Sequence, residues 1–466
     1  MARDWVVSKK MKAFSPEQLV GANSLIRDGL NLSRGDKLLL LYQNEFSRAA
    51  ACISMAAKRL GIVVDLRQFN IVDFPLGCSV PALSSPAIPA GIVLLIEWSE
   101  VSNRARLGLL AELVDVNRGW RIASMPGVNL EDLSLCVCDF KEINEKCLIA
   151  FAVFARSTVA VLETKNPSDT TENLRIPIDD FLPENSTGQI ARNAWGNFPS
   201  GETFVVPNPY AAEGWLTVRG SLSGRPLTPS EWVRFKVKQG RIVDESIEAS
   251  SGVLLHDFRG MFWRPSGELK DENANALAEM GLGTNSHITR LVGNPIFDEK
   301  KLGTVHVSFG RNDQFMGPLK SSVYQAVICS EATLTLEGNL SAPVRLINNG
   351  EFLAREENAT PHLASFDCLD QHALVRLGEL DYQFSTSADV PEMSIEYVSQ
   401  RESLRFVLAT GDVATMAQQI LTRVSNVSQI SVIELTEDVG PKDPSLYSNI
   451  ISGLVAYGIL ETSGLD

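Results

Sequence analysis

The chain has 466 residues, a formal net charge of −14 and a hydrophobic content of 44%, with a mean hydropathy of +0.02. This length allows two or three domains with a sizeable core. The acidic balance argues against nucleic-acid binding, because phosphate contacts need clustered lysine and arginine. The N-terminus lacks an apolar segment and no run approaches eighteen apolar residues, so neither a signal peptide nor a membrane partner is expected.

Seven cysteines are scattered through the chain, and Cys136 and Cys138 lack the two-residue spacer of the usual zinc or redox pairs. Scattered thiols of this kind are typical of a reducing compartment. The sequence therefore predicts free buried cysteines in a cytoplasmic protein.

The first 185 residues predict a Rossmann-like α/β domain, because helical segments alternate with apolar strands. Ser15 and Pro16 form a typical helix start. The predicted strands are 38–42, 62–66 and 91–96, and the predicted helices between and after them are 44–60 and 103–116. No glycine-rich dinucleotide motif follows the first strand. A polar, proline-bearing stretch at 165–188 predicts a linker to the next domain.

The segment 303–310 predicts a strand that carries a histidine. Alternation places Val305 and Val307 on one face and His306 on the other. Histidine and carboxylate side chains on a rigid backbone are metal-ligand types, but a histidine satisfied by hydrogen bonds within a sheet fits the same pattern. The residues alone leave both interpretations open.

Four motifs carry a family resemblance. They are Pro199-Ser200-Gly201-Glu202, Glu279 before Gly281-Leu282-Gly283-Thr284-Asn285, Asp298-Glu299-Lys300, and Gly303-Thr304-Val305-His306. This set resembles the aminopeptidase T family of metallopeptidases, to which the single-iron 2,5-dihydroxypyridine dioxygenases look related. The resemblance implies an α+β domain over residues 186–360, with Glu202, Glu279 and His306 as metal ligands. A short helix over 273–280 is expected to carry Glu279.

A further ligand motif of the family, His-x-Asp before Ala-Val-Ile, is replaced by Val323-Tyr324-Gln325. Valine cannot bind a metal, and glutamine is a poor neutral substitute for aspartate. The remaining Glu202, Glu279 and His306 would suffice for one divalent ion with water. Tyr324 is expected to fill the vacated space.

One aspartate and four further histidines are weaker ligand candidates. Asp313 is interpreted either as a substitute ligand or as a solvated turn residue. The other histidines fall outside any ligand spacing and are predicted to be structural or exposed: His256, His287, His362 and His372.

Residues 361–466 predict a third, winged-helix-like domain, with short strands before helices at 412–424 and 444–458. It is similar to the small domains that clamp leader peptides in ribosomal peptide maturation. That similarity implies a peptide paired with the sheet edge and docked on the last helix, as in strand addition. The implied contacts are Ile395, Tyr397, Leu404, Phe406, Tyr447, Ile451 and Leu454. The open alternative is that these side chains form the tail's own core.

The sequence thus predicts a catalytically degenerate, aminopeptidase-like homodimer without a cofactor. It would bind a peptide and present it to a partner tailoring enzyme in peptide natural-product biosynthesis. The alternative is an enzyme with a rebuilt site for one zinc or iron ion, either a metal-dependent aminopeptidase or an iron ring-cleaving dioxygenase. The homodimer is implied by the family resemblance.

Overall fold

The structure is a computed structural model. It describes residues 13–69, 90–98, 106–111, 113–114, 120–155, 157–178, 183–190, 192, 194–315, 317–338, 343–353, 374–377, 383–387, 390–398, 403–426, 430–431, 450–451, 454 and 460–463. Within these residues, no helix is both long and apolar enough to cross a membrane.

A parallel five-stranded sheet forms the N-terminal part. The elements up to residue 197 are α1 (Pro16–Ser24), β1 (Lys37–Tyr42), α2 (Ser47–Arg59), β2 (Val63–Gln68), β3 (Ala90–Ile96), β4 (Trp120–Pro126), α3 (Phe140–Phe154), β5 (Ser157–Lys165), β6 (Thr171–Pro177), β7 (Glu184–Ser186) and β8 (Ala194–Asn197). The strand order is β2-β1-β3-β4-β8, with every pair parallel. Residues 38–41 are buried on both faces, as expected of an inner parallel strand. Ser15 caps α1 in a capping box with Gln18, so the predicted helix start is confirmed.

Two antiparallel sheets form the central part of the molecule. The further elements are β9 (Glu202–Val205), β10 (Glu213–Val218), β11 (Gly220–Leu222), β12 (Arg225–Pro226), β13 (Val233–Lys238), β14 (Arg241–Ile242), β15 (Glu248–Ala249), α4 (Gly252–Phe262), β16 (Leu277–Gly283), α5 (Pro295–Asp298), β17 (Val305–Gly310), β18 (Tyr324–Cys329), β19 (Thr333–Gly338), β20 (Val344–Asn348) and β21 (Glu351–Phe352). The seven-stranded sheet has the order β12-β11-β18-β17-β16-β9-β7. The nine-stranded sheet has the order β14-β13-β10-β6-β5-β19-β20-β21, with β15 beside β13.

Both antiparallel sheets contribute to one continuous core. Val307 and Phe309 of the smaller sheet belong to the same buried cluster as Leu162, Leu216 and Phe235 of the larger sheet. The predicted mixed α/β architecture is confirmed. The apolar residues of β17 turn toward this core, so the alternate residues of that strand lie on the opposite face of the sheet.

Two local expectations are wrong. The polar stretch 165–188 is not a free linker, because β6 pairs with both β5 and β10 inside the larger sheet. Glu279 lies on the strand β16 rather than on a helix. The alanine-rich sequence before Glu279 has high helix propensity, but all seven residues of β16 are buried, and the strand pairs with β17 on one side and, over Met280–Gly283, with β9 on the other. Tertiary pairing therefore overrides the local preference.

The C-terminal part contains β22 (Leu374–Leu377), β23 (Gln383–Ser387), β24 (Val390–Val398), β25 (Ser403–Thr410), α6 (Gly411–Ser425), β26 (Ile430–Ser431) and β27 (Leu460–Ser463). Its strands form two sheets, in the orders β26-β22-β27 and β23-β24-β25. The winged-helix assignment of this tail stays a prediction.

The sheet residues expected to contact a peptide lie on two neighbouring strands. Ile395 pairs with Phe406, and Tyr397 pairs with Leu404. Strand β23 pairs with β24 only over Val390–Ser394, so in the described residues Ile395 and Tyr397 have strand partners on β25 alone, and their position at a sheet edge stays a prediction.

The peptide-clamp hypothesis also assigned contacts to three residues of the last helix, of which the structure describes two. Ile451 and Leu454 are fully buried members of the main core cluster. Their burial favours the alternative in which they are the tail's own core. Tyr447 lies outside the described residues.

Candidate functional site

The residues predicted as metal ligands meet on one face of the seven-stranded sheet. In the strand register Gly281 lies between Phe204 and His306, and Gly283 lies opposite Glu202. Because alternate residues share a face, Glu202, Glu279 and His306 all point away from the sandwich core. The structure therefore brings the three predicted residues together in a cluster that lies almost entirely out of solvent.

Gly281 makes the close approach of the imidazole possible. A Cβ at this position would lie 2.6 Å from His306 Cε1 and 2.7 Å from the Thr203 carbonyl oxygen. Real Cβ atoms do not come this close to other atoms, so a side chain here would displace the histidine.

Strand β18 presents Tyr324 and Ala326 to the cluster, not Val323 and Gln325. Ala326 pairs with Ser308, which shares the face of His306, while Val323 belongs to the buried sandwich core. A His-x-Asp pair needs both side chains on one face of a strand. The positions that correspond to the family's pair are therefore Tyr324 and Ala326, which corrects the sequence alignment by one residue.

Hydrogen bonds connect the cluster from the tyrosine to the histidine. The Tyr324 hydroxyl donates to Glu279 Oε2 at 2.6 Å. The other oxygen, Glu279 Oε1, lies 3.2 Å from His306 Nε2. Burial first, and then the charge of Glu279, raise the pKa of Tyr324 well above its ordinary value. Tyr324 is therefore a protonated hydrogen-bond donor to Glu279 in this arrangement.

A buried lysine supplies the positive charge of the cluster. Lys300 Nζ lies 2.8 Å from Glu202 Oε2 and 2.6 Å from Glu299 Oε2. Burial alone lowers the pKa of Lys300, but the charges of both glutamates outweigh it and raise that pKa. The ammonium group therefore holds two carboxylates that would otherwise be buried without compensation.

His306 lies between the carboxylates of Glu279 and Glu202. Burial lowers the pKa of His306, whereas the Glu279 hydrogen bond and the charges of Glu299 and Glu202 raise it, and the net direction is upward. The surrounding carboxylates therefore make His306 easier to protonate than an ordinary histidine.

The side chains are not grouped around one metal position in this arrangement. His306 Nε2 lies 3.2 Å from Glu279 Oε1 and 3.9 Å from Glu202 Oε2. In the described part of the chain, these three side chains are not among the groups whose ligand atoms all lie within 4.8 Å of one another. Lys300 and Tyr324 bind two of the carboxylates instead, so a metal ion held by these residues would have to displace both contacts.

One other group of side chains has ligand atoms close enough for a metal ion. Asp139, Glu142 and His287 have such atoms within 4.8 Å of one another in the described part of the chain. His287 was not predicted from spacing, because it is separated from the others along the sequence. This group is at the surface, and Glu142 already accepts from Lys146 at 2.7 Å and from Ser286 at 2.6 Å.

The cluster forms the floor of a cavity of about 440 Å³. Arg106 and Trp195 from the N-terminal part line it, together with Glu184, Phe204 and Phe315. Arg106 is buried, and its Nη1 donates to Ser124 Oγ at 2.8 Å. Burial lowers the pKa of Arg106 to about 10. The cavity thus combines aromatic walls with buried charges of both signs.

Asp313 and the other two described histidines lie outside the cavity lining. Asp313 pairs with Arg311 at 2.8 Å and does not line the cavity, which supports the turn interpretation. His256 and His287 are exposed, while His362 and His372 lie outside the described residues.

Sequence reasoning missed several cavity residues. Lys300 was recognised only as part of a motif, and Ala326, Arg106 and Glu184 were not singled out. Arg106 carries no local signal, since the parallel sheet brings it to the cavity from a distant part of the chain. Ala326 had a usable signal in the two-residue periodicity of β18.

Comparison with known proteins agrees with this geometry. Residues 142–318 match the sequence model of the thermophilic metalloprotease family, M29. The match ends before Tyr324 and Ala326. The chain matches no curated protein sequence.

Two solved structures are similar to this fold. One is 2,5-dihydroxypyridine dioxygenase from Pseudomonas putida KT2440, with 15% identity, a TM-score of 0.51, and coverage of 74% of this chain and 99% of that chain. Another is wild-type AmpT from Thermus thermophilus, with 16% identity, a TM-score of 0.48, and coverage of 73% of this chain and 100% of that chain. The resemblance inferred from the motifs is confirmed by the match of residues 142–318 to the M29 family model.

Proposed function

We propose that this protein binds a peptide in the 440 Å³ cavity without hydrolysing it, and presents it to a partner tailoring enzyme. The observation that carries the proposal is that Tyr324 and Ala326 are the β18 residues that share the face of His306, where the family resemblance implies a His-x-Asp pair. Tyr324 instead donates to Glu279, and alanine has no ligand atom. Lys300 supplies the positive charge that balances Glu202. Metal-assisted hydrolysis needs an ion to activate water and polarise the carbonyl. In this arrangement Lys300 and Tyr324 bind the carboxylates that would hold such an ion.

The cavity supports ligand binding because one of its lining residues keeps an unused polar atom. Within the described residues, Glu299 Oε1 is buried and has no hydrogen-bond partner, and Glu299 lines the cavity. Buried polar atoms are normally satisfied by protein, water or ligand. The volume lies within the range of about 300–1,000 Å³ that is usual for small-ligand pockets. A short peptide segment with polar atoms at the floor and an apolar side chain against Phe204 and Phe315 fits these features.

A second candidate is a metal enzyme, either an aminopeptidase or a ring-cleaving dioxygenase. It is favoured by the retention of Glu202, Glu279 and His306 on rigid strands and by the M29 match. It requires the two glutamates to move toward one another and Tyr324 to release Glu279. Zinc or iron would then be held by these three residues.

Peptide binding and turnover in one sample separate the candidates. Dipeptides and tripeptides are titrated by calorimetry, and the same mixtures are examined by mass spectrometry after incubation with zinc, cobalt or ferrous ion. The proposal expects saturable binding with the peptide recovered intact. Cleavage that disappears in Glu279→Gln would establish the enzyme instead. As a matched control, Glu213→Gln changes an exposed carboxylate on β10 away from the cavity lining.

A further inference from the structure

A second cavity, of about 360 Å³, lies where the β5–β6 turn, the end of β10 and the β18–β19 connection meet. It shares no lining residue with the cavity above the glutamate cluster. Its charged lining residues are Lys165, Asp169, Arg219 and Glu331. The four formal charges cancel, so the cavity has no net preference for a simple anion or a simple cation.

These four charges are not all paired with one another. Lys165 Nζ lies 2.9 Å from Asp169 Oδ1, and the two form an exposed ion pair. Among the described residues, the side chains of Arg219 and Glu331 have neither a hydrogen bond nor an ion pair. They also lie more than 4.0 Å from each other, although they line the same cavity. A cationic group and an anionic group thus remain available at separate points of one cavity.

A buried hydroxyl group gives a second, independent sign of a ligand. Thr217 is 1% exposed, and its Oγ1 has no hydrogen-bond partner in the described chain. Its neighbour Thr164 is engaged, because Thr164 Oγ1 accepts from the Thr217 backbone N–H at 3.0 Å. Leaving a buried hydroxyl without a partner is unfavourable, so a polar ligand atom or water is expected beside Thr217.

We propose that this second cavity binds a small zwitterion, namely a free α-amino acid. Arg219 and the Thr217 hydroxyl donate to the ligand carboxylate, and Glu331 accepts from its ammonium group. A guanidinium group suits a carboxylate because it offers paired N–H donors in one plane. Arg219 and Glu331 both line the cavity, so one ligand within it can contact the two groups. No covalent step is involved.

The test is calorimetric titration of the full-length protein with the proteinogenic amino acids. N-acetyl and amide derivatives are run in parallel, since each removes one of the two charges. We expect saturable binding of at least one free amino acid. We also expect a loss of affinity of at least about tenfold for its N-acetyl and amide forms, because each loses a charge-assisted contact.

Variants locate the binding. Arg219→Gln and Glu331→Gln should each weaken it by at least about tenfold. Arg345→Gln, an exposed arginine on β20, should leave it unchanged. Glu331 is exposed, so its variant is expected to fold even if Arg219→Gln does not, and circular dichroism checks both. Binding that persists in both cavity variants would overturn the proposal, as would the absence of any amino acid binding at about 10 mM.

Discussion

At the residue scale, two positions on β18 decide what the glutamate–histidine cluster can do. Tyr324 places a hydroxyl donor where the family resemblance implies a ligand, and Ala326 places a methyl group at the other position. Lys300 then balances the charge of Glu202 and Glu299. The cluster is therefore a set of buried ion pairs rather than an open ligand set.

Restoring the two lost ligands should restore metal binding. In the variant Tyr324→His with Ala326→Asp, the new side chains share the face of His306 and release Glu279 from its tyrosine donor. We expect at least one zinc or cobalt ion per chain, measured by elemental analysis after dialysis. Val323→His with Gln325→Asp is the matched control, because it places the same residues on the opposite face. Equal metal content in both double variants would contradict the assigned register.

Removing the charge of Lys300 should strongly destabilise the fold. Lys300→Met leaves Glu202 and Glu299 buried without their shared cation. Breaking a buried pair typically costs about 3–5 kcal/mol of unfolding free energy. Denaturant unfolding measures this loss, and Lys238→Met, an exposed lysine on β13, should change stability by less than about 0.5 kcal/mol. A similar small effect for both variants would show that the ion pairs are not formed.

At the element scale, the three strands β9, β16 and β17 hold the cluster through their register. The close approach of β16 to the imidazole depends on glycine at 281. The two antiparallel sheets pack against one another through a shared core, which fixes the face on which the cluster lies.

A methyl group at position 281 should disturb the cluster. Gly281→Ala forces His306 or the neighbouring strand to move, and overpacking of this kind costs about 1–3 kcal/mol. Gly260→Ala, in α4 with open space around the added methyl group, should instead raise stability by about 0.5–1 kcal/mol. The two unfolding free energies are compared under identical conditions. If both substitutions changed the unfolding free energy in the same direction, the close contact between β16 and the His306 imidazole would be contradicted.

The larger sheet carries an ion pair whose contribution depends on pH. Arg234 binds both oxygens of Glu172, at 2.7 and 2.9 Å, and this hydrogen bonding lowers the pKa of Glu172 below 4.5. A carboxyl group with a lowered folded-state pKa stabilises the fold above its unfolded pKa and loses that contribution as the pH falls through the folded pKa. Glu172→Gln should therefore cost about 1 kcal/mol at pH 7 and almost nothing near pH 3.

The control for this pH dependence is Glu163→Gln, on the adjacent strand β5. The loss of unfolding free energy in Glu163→Gln should stay near zero across the same pH range, because Glu163 has no ion pair among the described residues. A cost for Glu172→Gln that does not change between pH 7 and pH 3 would contradict the assignment.

Sequence periodicity predicted the first parallel strands and the face of His306, because local hydrophobic patterns determine both. It failed at Glu279, where a helix-favouring sequence is forced into a strand by pairing on both sides. The motif comparison also placed the His-x-Asp pair one residue too early, at Val323 and Gln325. A comparison of sequence letters does not show which residues share a face of the strand, and on β18 these are Tyr324 and Ala326. Arg106 reaches the cavity only through the tertiary fold, so no local pattern indicates it.

At the scale of the whole molecule, the buried clusters link the antiparallel sheets with the C-terminal part. Ile451 and Leu454 belong to the same buried cluster as Phe235 and Phe309. Their burial disfavours a peptide-docking role for these two residues and favours a structural role. Leu404 and Phe406 lie on β25, the outer strand in the order β23-β24-β25, and their peptide contacts stay a prediction.

The family resemblance predicts a homodimer. Light scattering at micromolar concentration should give twice the chain mass of 51.0 kDa. A mass near that of one chain, unchanged by added peptide, would exclude a stable dimer.

The measurement that tests the central claim most directly is the metal content of the purified protein, determined by elemental analysis together with peptide turnover. A His287→Ala variant is included so that metal at the surface group of Asp139 and Glu142 is not counted as cluster metal. We predict far less than one zinc, cobalt or iron ion per chain in this variant, and intact peptides after incubation. Stoichiometric metal that is lost in His306→Ala, with hydrolysis lost in parallel, would contradict the account.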